Sequence, residues 1–292
     1  MLGLHIIWFR RDLRVHDHAA LKAAHLAAER DHGLVLPLFV GSGPTSPELS
    51  AALKDLDEAL AGRGAALHFR TGNVIEALTA FHTAHHIASI HAHADPDDRK
   101  TERAVETWSV RAGVPFRLHD APGQGDKAWV RDMSAPRHEG PVHLKAANVG
   151  LGHKLYASGA DDSGRAAGGR KAAVKLLRSL LGQLSDLSGI AAPEARAADP
   201  GLAALVVHLQ RGGLSVREVW QAASAARHQY MAAGQDIRAA RLAGLLEHLQ
   251  KQFQRGGHGQ DGSARRAQVR GVSNPDARAR RGAQLSLDLF AP

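Results

Sequence analysis

Residues 8–21 read Trp8-Phe9-Arg10-Arg11-Asp12-Leu13-Arg14-Val15-His16-Asp17-His18-Ala19-Ala20-Leu21 and join an apolar strand to the start of a helix. Three arginines and two aspartates follow the strand within this stretch. Charges at the carboxyl end of a strand can form a fixed ion-pair network in the crevice where open α/β sheets bind ligands. We therefore expect the functional site of this half of the chain at that edge.

The pattern on either side of this stretch predicts the rest of the domain. Apolar runs of strand length at residues 4–9, 34–40, 65–70, 87–91 and 115–118 alternate with helical patterns at 17–31, 47–61, 73–85 and 98–112. Residues 6–9 and 35–40 within the first two runs are apolar on both faces, as is typical of central strands covered by helices on both sides. The chain is therefore predicted to be α/β, with a Rossmann-like, doubly wound parallel sheet of about five strands.

Two helix starts carry local signals. Asp17 is expected to cap the first helix, because Ala19, Ala20 and Leu21 follow it. Residues 46–48 place a serine at the cap, a proline at the first helical position and an acid in the first turn. The second helix should therefore begin at Pro47.

Beyond residue 122 the pattern changes. Residues 123–168 are irregular and predict an interdomain connection. Helical periodicity at 169–184, 203–210, 215–231 and 237–253 predicts a small all-helical unit over 169–253. Residues 254–292 are rich in glycine, arginine, serine and glutamine, which predicts a disordered, arginine-rich tail. The first domain should occupy residues 1–122.

Composition narrows the classes of function. The chain has 292 residues, 44% of them hydrophobic, and no cysteine, which excludes disulfides, thiolate metal sites and thiol nucleophiles. No stretch approaches the roughly 20 apolar residues of a membrane span, so we expect a soluble, cytoplasmic protein with no membrane partner. The net charge of +8 favours a polyanion partner, although the arginines after Gln254 also fit a solvated linker.

The stretch at residues 8–21 resembles the opening of DNA photolyases and cryptochromes, whose pattern is W-F-R-x-D-L-R, two spacers, an aspartate and a short helix with A-L. Residues 35–40 resemble the second strand of that family, and Gly72-Asn73 its turn before a helix. Residues 168–173 resemble its G-G-x-x-A stretch, and residues 212–220 its G-x-L-S-x-R-x-V-W run. The resemblance covers about residues 4–253.

This resemblance implies a function. A photolyase holds FAD in its helical domain, and the excited flavin donates an electron to a pyrimidine dimer flipped out of DNA. The α/β domain often carries an antenna chromophore, whose identity the sequence leaves open. The function implied is that of a deoxyribodipyrimidine photo-lyase, with DNA as its partner. The residues implied in cofactor binding are Arg10, Arg11, Asp12, Arg14, Arg217 and Trp220.

Two stretches depart from the family pattern. Residues 199–205 stand where the family has a phosphate-binding T-S-x-L-S-P run, and they contain no hydroxyl. Residues 238–246 align with a family R-A-F-E-S-R-L-x-W helix and lack its acid, its second arginine and its tryptophan. The part after Gly169 is also about half as long as a family helical domain. We therefore expect a divergent or truncated member in which FAD binding is in doubt.

Histidines raise the question of a metal. His82 and His86 stand four residues apart on the predicted third helix, and His91 and His93 stand at a strand end. No HExxH pattern accompanies them, and we expect no metal site.

The C-terminal residues Gln284-Leu285-Ser286-Leu287-Asp288-Leu289-Phe290 resemble the peptide by which bacterial repair and replication proteins bind the DNA polymerase sliding clamp. Such a peptide inserts its glutamine into a polar notch and its apolar side chains into a groove. The binding residues implied are Gln284, Leu285, Leu287, Leu289 and Phe290. The alternative function is therefore a non-catalytic, photolyase-like adaptor on the clamp.

Overall fold

Five strands of the computed structural model form one parallel sheet in the order β3-β2-β1-β4-β5. They are β1 (Leu4–Phe9), β2 (Leu34–Gly41), β3 (His68–Thr71), β4 (Ile87–His93) and β5 (Phe116–His119). The structure describes residues 2–41, 43, 45–95, 97–119, 126–147, 168–186 and 200–254. The predicted doubly wound parallel sheet is confirmed.

Helices cover both faces of this sheet. The connecting helices are α1 (Ala19–Arg30), α2 (Pro47–Ala61), α3 (Val74–Ala84) and α4 (Arg99–Ala112). Ile7 and Phe9 pack with apolar residues of α1 and α2, whereas Ile6 and Trp8 pack with apolar residues of α3 and α4. Because side chains alternate along a strand, the fully buried β1 supplies both cores at once.

The first helix begins differently from the prediction. His18, not Asp17, is its N-cap, and the His18 side chain accepts a hydrogen bond from the Leu21 backbone N–H. Asp17 has a φ of 45°, which is left-handed, and its carboxylate is bonded elsewhere. The second helix does begin at Pro47 with Ser46 as its N-cap, as predicted.

A second core lies among five further helices. These are α5 (Asp126–Ser134), α6 (Gly169–Asp186), α7 (Pro200–Gln210), α8 (Val216–Ala232) and α9 (Asp236–Gln254). Helix α5 falls inside the segment predicted as an irregular connection, yet its Trp129 and Met133 are buried with apolar residues of the other four helices. The helical unit therefore begins earlier in the chain than its periodicity indicates.

The helical unit packs directly against the sheet domain. Helix α6 lies on α2, where the Asp55 carboxylate accepts a hydrogen bond of 2.9 Å from the Lys171 backbone N–H. The Asp55 carboxylate thus satisfies an otherwise unpaired donor in the first turn of α6. Within the described part of the chain, no helix is both long enough and apolar enough to cross a membrane.

Candidate functional site

The residues that follow β1 lie where the strand order of the sheet reverses. Strand β1 has β2 on one side and β4 on the other, so the carboxyl ends of β1 and β4 enclose the topological switch point. Open α/β sheets bind ligands in that crevice. Arg10 directly follows β1, and His93 is the last residue of β4.

Asp12 is buried between two histidines, and we call Asp12, His18 and His93 the Asp12 cluster. One carboxylate oxygen accepts a hydrogen bond of 2.8 Å from the Arg10 backbone N–H. The other lies 2.6 Å from His93 Nδ1 and 3.0 Å from His18 Nε2. Burial alone would raise the pKa of Asp12, but the two histidines hold that pKa well below its usual range. Asp12 is therefore an ionised carboxylate whose charge is satisfied inside the sheet domain.

The hydrogen bonds of His18 fix its tautomer. The Leu21 backbone N–H donates to Nδ1 at 3.0 Å, so that nitrogen carries no proton and the ring proton lies on Nε2, towards Asp12. Burial first, and the neighbouring His93 second, lower the pKa of His18 to about 3. His18 is consequently neutral at pH 7.

This tautomer decides whether the Asp12 cluster suits a metal. One ligand atom from each of Asp12, His18 and His93 lies within 4.8 Å of the others, a spacing that could hold an ion. Ligation through His18 Nε2 would require its proton to move to Nδ1, where the Leu21 N–H already points. The arrangement therefore favours hydrogen bonding over metal binding.

The other histidines considered for a metal do not form the predicted pair. Helix α3 ends at Ala84, and its C-cap His85 has extended backbone angles, so His86 lies outside the helix that carries His82. His82 packs edge-on against Trp108 at 5.7 Å between ring centroids. The two side chains are not one helical turn apart.

Arg10 and Arg11 are both engaged by acids of the neighbouring β4–α4 segment. Arg10 Nη2 donates to Glu102 Oε1 at 2.8 Å and to the carbonyl oxygen of His93, and its guanidinium lies 4.6 Å above the Trp8 ring. Arg11 Nη1 donates to Asp97 at 2.7 Å, and this pair is more than a third exposed. Arg10 is thus a buried structural residue, whereas Arg11 stays accessible to a ligand.

Asp17 forms a different kind of contact, and we call Asp17, Ser215 and Arg217 the Asp17 junction. Arg217 Nη1 donates to Asp17 Oδ1 at 2.7 Å, and the Ser215 hydroxyl donates to Asp17 Oδ2. Burial would raise the pKa of Asp17, but these bonds and one from the His138 backbone N–H lower it. Asp17 lies 198 and 200 residues from its two side-chain partners, so the junction joins the sheet domain to α8.

The backbone beside the Asp17 junction is closely packed. Gly212 has a φ of 75°, and a Cβ there would lie 2.0 Å from the Arg11 carbonyl oxygen. Arg14 donates to the Gly212 carbonyl oxygen at 3.4 Å. Only glycine fits this contact without moving one backbone away from the other. The stretch after β1 and the loop before α8 therefore touch directly.

The two predicted cofactor-binding residues on α8, Arg217 and Trp220, have different surroundings. Arg217 contacts Asp17 and also donates from Nε to the Asp132 carbonyl oxygen at 3.0 Å. Trp220 packs in the helical core, edge-on to Trp129 with ring centroids 6.4 Å apart. The structure thus brings Arg10, Arg11, Asp12, Arg14 and Arg217 into one region, whereas Trp220 belongs to the helical core. Their role in cofactor binding stays a prediction, and residues 284–290 lie outside the described part.

Sequence reasoning missed three residues that shape this site. Glu102 and His18 lie inside the predicted helices at 98–112 and 17–31, and Ser215 lies inside the family-like run at 212–220, with no sign of their partners. An acid in the first turn of a helix is a common signal that does not reveal a buried arginine partner. The contact depends on the strand order, which brings α4 beside the end of β1.

Comparisons with known proteins agree with this architecture. The family model for DNA photolyase matches residues 5–122. A deoxyribodipyrimidine photo-lyase from Alkalihalophilus pseudofirmus is 30% identical over 124 residues, covering 39% of this chain and 26% of that protein. The chain therefore spans about a quarter of the length of this curated relative.

Solved structures show the same fold at low sequence identity. A class III photolyase from Agrobacterium tumefaciens has a TM-score of 0.60 at 21% identity, covering 87% of this chain and 59% of its own. An archaeal photolyase from Sulfolobus tokodaii with two FAD molecules has a TM-score of 0.56 at 17% identity, covering 76% of this chain and 54% of its own. A Synechocystis cryptochrome has a TM-score of 0.54 at 16% identity, covering 88% of this chain and 64% of its own. Residues 5–122 thus form a DNA photolyase domain, the part of the chain that the family model matches.

Proposed function

We propose that the chain acts in light-dependent DNA repair of the deoxyribodipyrimidine photo-lyase type. The observation that carries this proposal is the family-matched sheet domain joined to a helical unit through the Asp17 junction. In such an enzyme FAD would supply the electron that splits a pyrimidine dimer. The part played by the described residues is positioning: Asp17, Ser215 and Arg217 keep the accessory domain in one orientation on the helical unit.

The described residues do not fit FAD well. Arg217 is bonded to Asp17 and Asp132, and Arg170 is held by both Glu218 carboxylate oxygens at 3.0 and 2.7 Å. Helix α7 turns Leu202, Leu205 and Leu209 into the apolar core. Within the described helical unit, neither these arginines nor α7 offers a free cradle for a pyrophosphate. The described residues therefore support no reaction step that involves FAD.

The absorption spectrum of the purified full chain, before and after denaturation, tests the proposal. Flavin bands in the blue and near ultraviolet, at one flavin per chain and bleached by light in the presence of a reductant, would support it. A colourless protein that also gains no absorption when incubated with FAD would contradict photolyase activity of this chain.

We propose likewise that the domain boundaries are those predicted, with one amendment. The sheet domain takes residues 1–122, the helical unit 169–253 and the tail 254–292. Helix α5 belongs to the helical core although it precedes residue 169, since Trp129 and Met133 are buried there. The segment 123–168 is therefore a connection that contributes one helix to the unit it leads to.

A second candidate function rests on the C-terminal residues. Gln284, Leu285, Leu287, Leu289 and Phe290 match the clamp-binding pattern, and the poor fit to FAD favours a role that needs no flavin. In this reading the chain is an adaptor that docks on the sliding clamp, with DNA close by.

Binding of the full chain to a purified bacterial sliding clamp tests the adaptor. The double variant Gln284→Ala and Leu287→Ala should abolish binding, whereas Gln268→Ala, a glutamine elsewhere in the tail, should leave it unchanged. Equal binding by both variants, or no binding by the unaltered chain, would exclude this function.

A further inference from the structure

A chain of hydrogen bonds crosses three strands of the sheet, inside the layer that faces α1. His5 Nδ1 lies 2.8 Å from Ser89 Oγ, and Ser89 Oγ lies 2.9 Å from His91 Nε2. His91 Nδ1 lies 3.0 Å from His119 Nε2, with the two rings stacked. His5, Ser89 and His91 are buried, and each contact is short enough for direct proton exchange. We call these four residues the strand relay.

The two ends of the strand relay open at opposite edges of the sheet. His5 is near the start of β1, and its Nε2 lies 3.7 Å from Asp31, which ends α1 at the amino edge. His119 is the last residue of β5 and pairs in register with His93, at the carboxyl edge beside the Asp12 cluster. The relay thus links a partly exposed carboxylate to the edge where α/β sheets bind ligands.

The charge of Asp31, which two hydrogen bonds from Arg30 partly offset, favours one direction of the hydrogen bonds in the strand relay. A carboxylate favours a proton on His5 Nε2, which makes His5 Nδ1 an acceptor for the Ser89 hydroxyl. Ser89 Oγ then accepts from His91 Nε2–H, and His91 Nδ1 accepts from His119 Nε2–H. The opposite direction would place a lone pair of His5 against the carboxylate, so the first arrangement has the lower energy.

Burial, helped by neighbouring positive and imidazole groups, keeps the inner histidines neutral. Burial is the main cause that lowers the pKa of His5, and Arg30 and His86 lower it further while Asp31 opposes them. Burial likewise lowers the pKa of His91 to about 3, with His119, His5, Arg117 and Arg30 adding to it. Neutral imidazoles can both accept and donate one proton, which a relay requires.

We propose that the strand relay carries a proton from the carboxyl edge of the sheet to Asp31. A proton that arrives at His119 Nδ1 releases the Nε2 proton to His91 Nδ1, and His91 passes its Nε2 proton to Ser89. The Ser89 hydroxyl proton then goes to His5 Nδ1, and His5 gives its Nε2 proton to Asp31 once the partly exposed Asp31 side chain closes the 3.7 Å gap between them. One proton enters and one leaves, and each histidine ends as the other neutral tautomer.

Imidazole nitrogen-15 NMR of the full chain tests this inference, because protonated and unprotonated ring nitrogens have well-separated shifts. We expect the proton of His5 and of His91 on Nε2. Asp31→Asn should then increase the Nδ1–H tautomer of His91 by about threefold, since the charge that selects the direction is removed. Ser89→Ala interrupts the relay and should abolish this response of His91 to Asp31→Asn.

Two further variants keep the test decisive. Ser89→Cys has nearly the volume of serine and a thiol that bonds weakly, so it should also uncouple His91 from Asp31 if Ser89→Ala folds poorly. Ser109→Ala removes another buried serine, on α4, which donates to the Glu106 carbonyl oxygen outside the relay, and should leave the coupling intact. A His91 proton on Nδ1 in the unaltered chain, or an Asp31→Asn response that persists in both Ser89 variants, would overturn the proposal.

Discussion

Asp12 and Asp17 stand five residues apart in one stretch, both buried and both ionised, but they are satisfied by different parts of the molecule. Asp12 is bonded within the sheet domain, by His18, by His93 and by the Arg10 backbone. Asp17 is bonded mainly by Ser215 and Arg217 of the helical unit. The comparison shows that one charged stretch has two structural tasks: it closes the edge of the sheet, and it docks a second unit.

Two buried histidines, His18 of the Asp12 cluster and His91 of the strand relay, should make stability sensitive to moderate acid, which is the largest effect we expect. His18 and His91 have folded pKa values of about 3, below the unfolded value near 6.5. Their contribution is complete above that unfolded value and is lost as the pH falls through it, because the unfolded chain takes up the protons. At pH 5 the two together should cost about 4 kcal/mol of unfolding free energy.

Denaturant unfolding at pH 7 and pH 5 measures this loss. His18→Asn keeps a capping oxygen for α1 but removes one titrating ring, so it should recover about 2 kcal/mol of the difference between the two pH values. An unfolding free energy that stays constant between pH 7 and pH 5 would contradict the neutral state of His18 and His91 in the folded chain.

We expect the Asp17 junction to be weakened most by a substitution that disturbs the close backbone packing beside it. In Gly212→Ala the new methyl group would meet the Arg11 carbonyl oxygen, and the residue would keep a left-handed φ, so we expect a loss of about 3 kcal/mol. Gly234→Ala is the matched control, because its φ is 67° and nothing lies within 4 Å of the added carbon. That control should lose only about 1 kcal/mol.

Native-state hydrogen exchange shows where Gly212→Ala acts. Amides of α8 should lose protection while those of β1 and β4 keep theirs, because the Asp12 cluster is independent of the junction. Equal losses in the two glycine variants would mean that the close approach to Arg11 does not matter.

The smallest effect should come from Arg11, which directly precedes Asp12 along the chain. Its pair with Asp97 is exposed, so Arg11→Ala should change the unfolding free energy by less than about 1 kcal/mol. Arg10→Ala, which removes the arginine that neutralises the buried Glu102, should cost several times more in the same experiment. A large loss in Arg11→Ala would show that this residue is structural and not available to a ligand.

The sheet domain could be predicted from the sequence because its signals are local. Both faces of β1 are apolar, and Ser46 and Pro47 mark the start of α2, so strand and helix limits follow from neighbouring residues. Helix α5 could not be predicted in this way. It buries Trp129 and Met133, four residues apart, against leucines distant in the chain, and its Val130 is exposed.

The site was predictable in its place but not in its partners. The sequence puts the arginines and aspartates at the end of β1, where the structure has them. Which acid pairs with Arg10, and which arginine pairs with Asp17, depends on strand order and on the docking of α8. Neither can be inferred from the local spacing of residues in the sequence. His5, Ser89 and His91 likewise interrupt apolar strands visibly, but only the register brings them together.

The central claim is that Asp17 and Arg217 join the two units, and a double-mutant cycle tests it most directly. Asp17→Asn, Arg217→Gln and the double variant are unfolded in denaturant at pH 7, and their free energies give the coupling between the two side chains. We predict a coupling of about 2 kcal/mol, with the double variant losing less than the sum of the single losses. A coupling near zero would contradict the claim and would return Arg217 to the residues available for a cofactor.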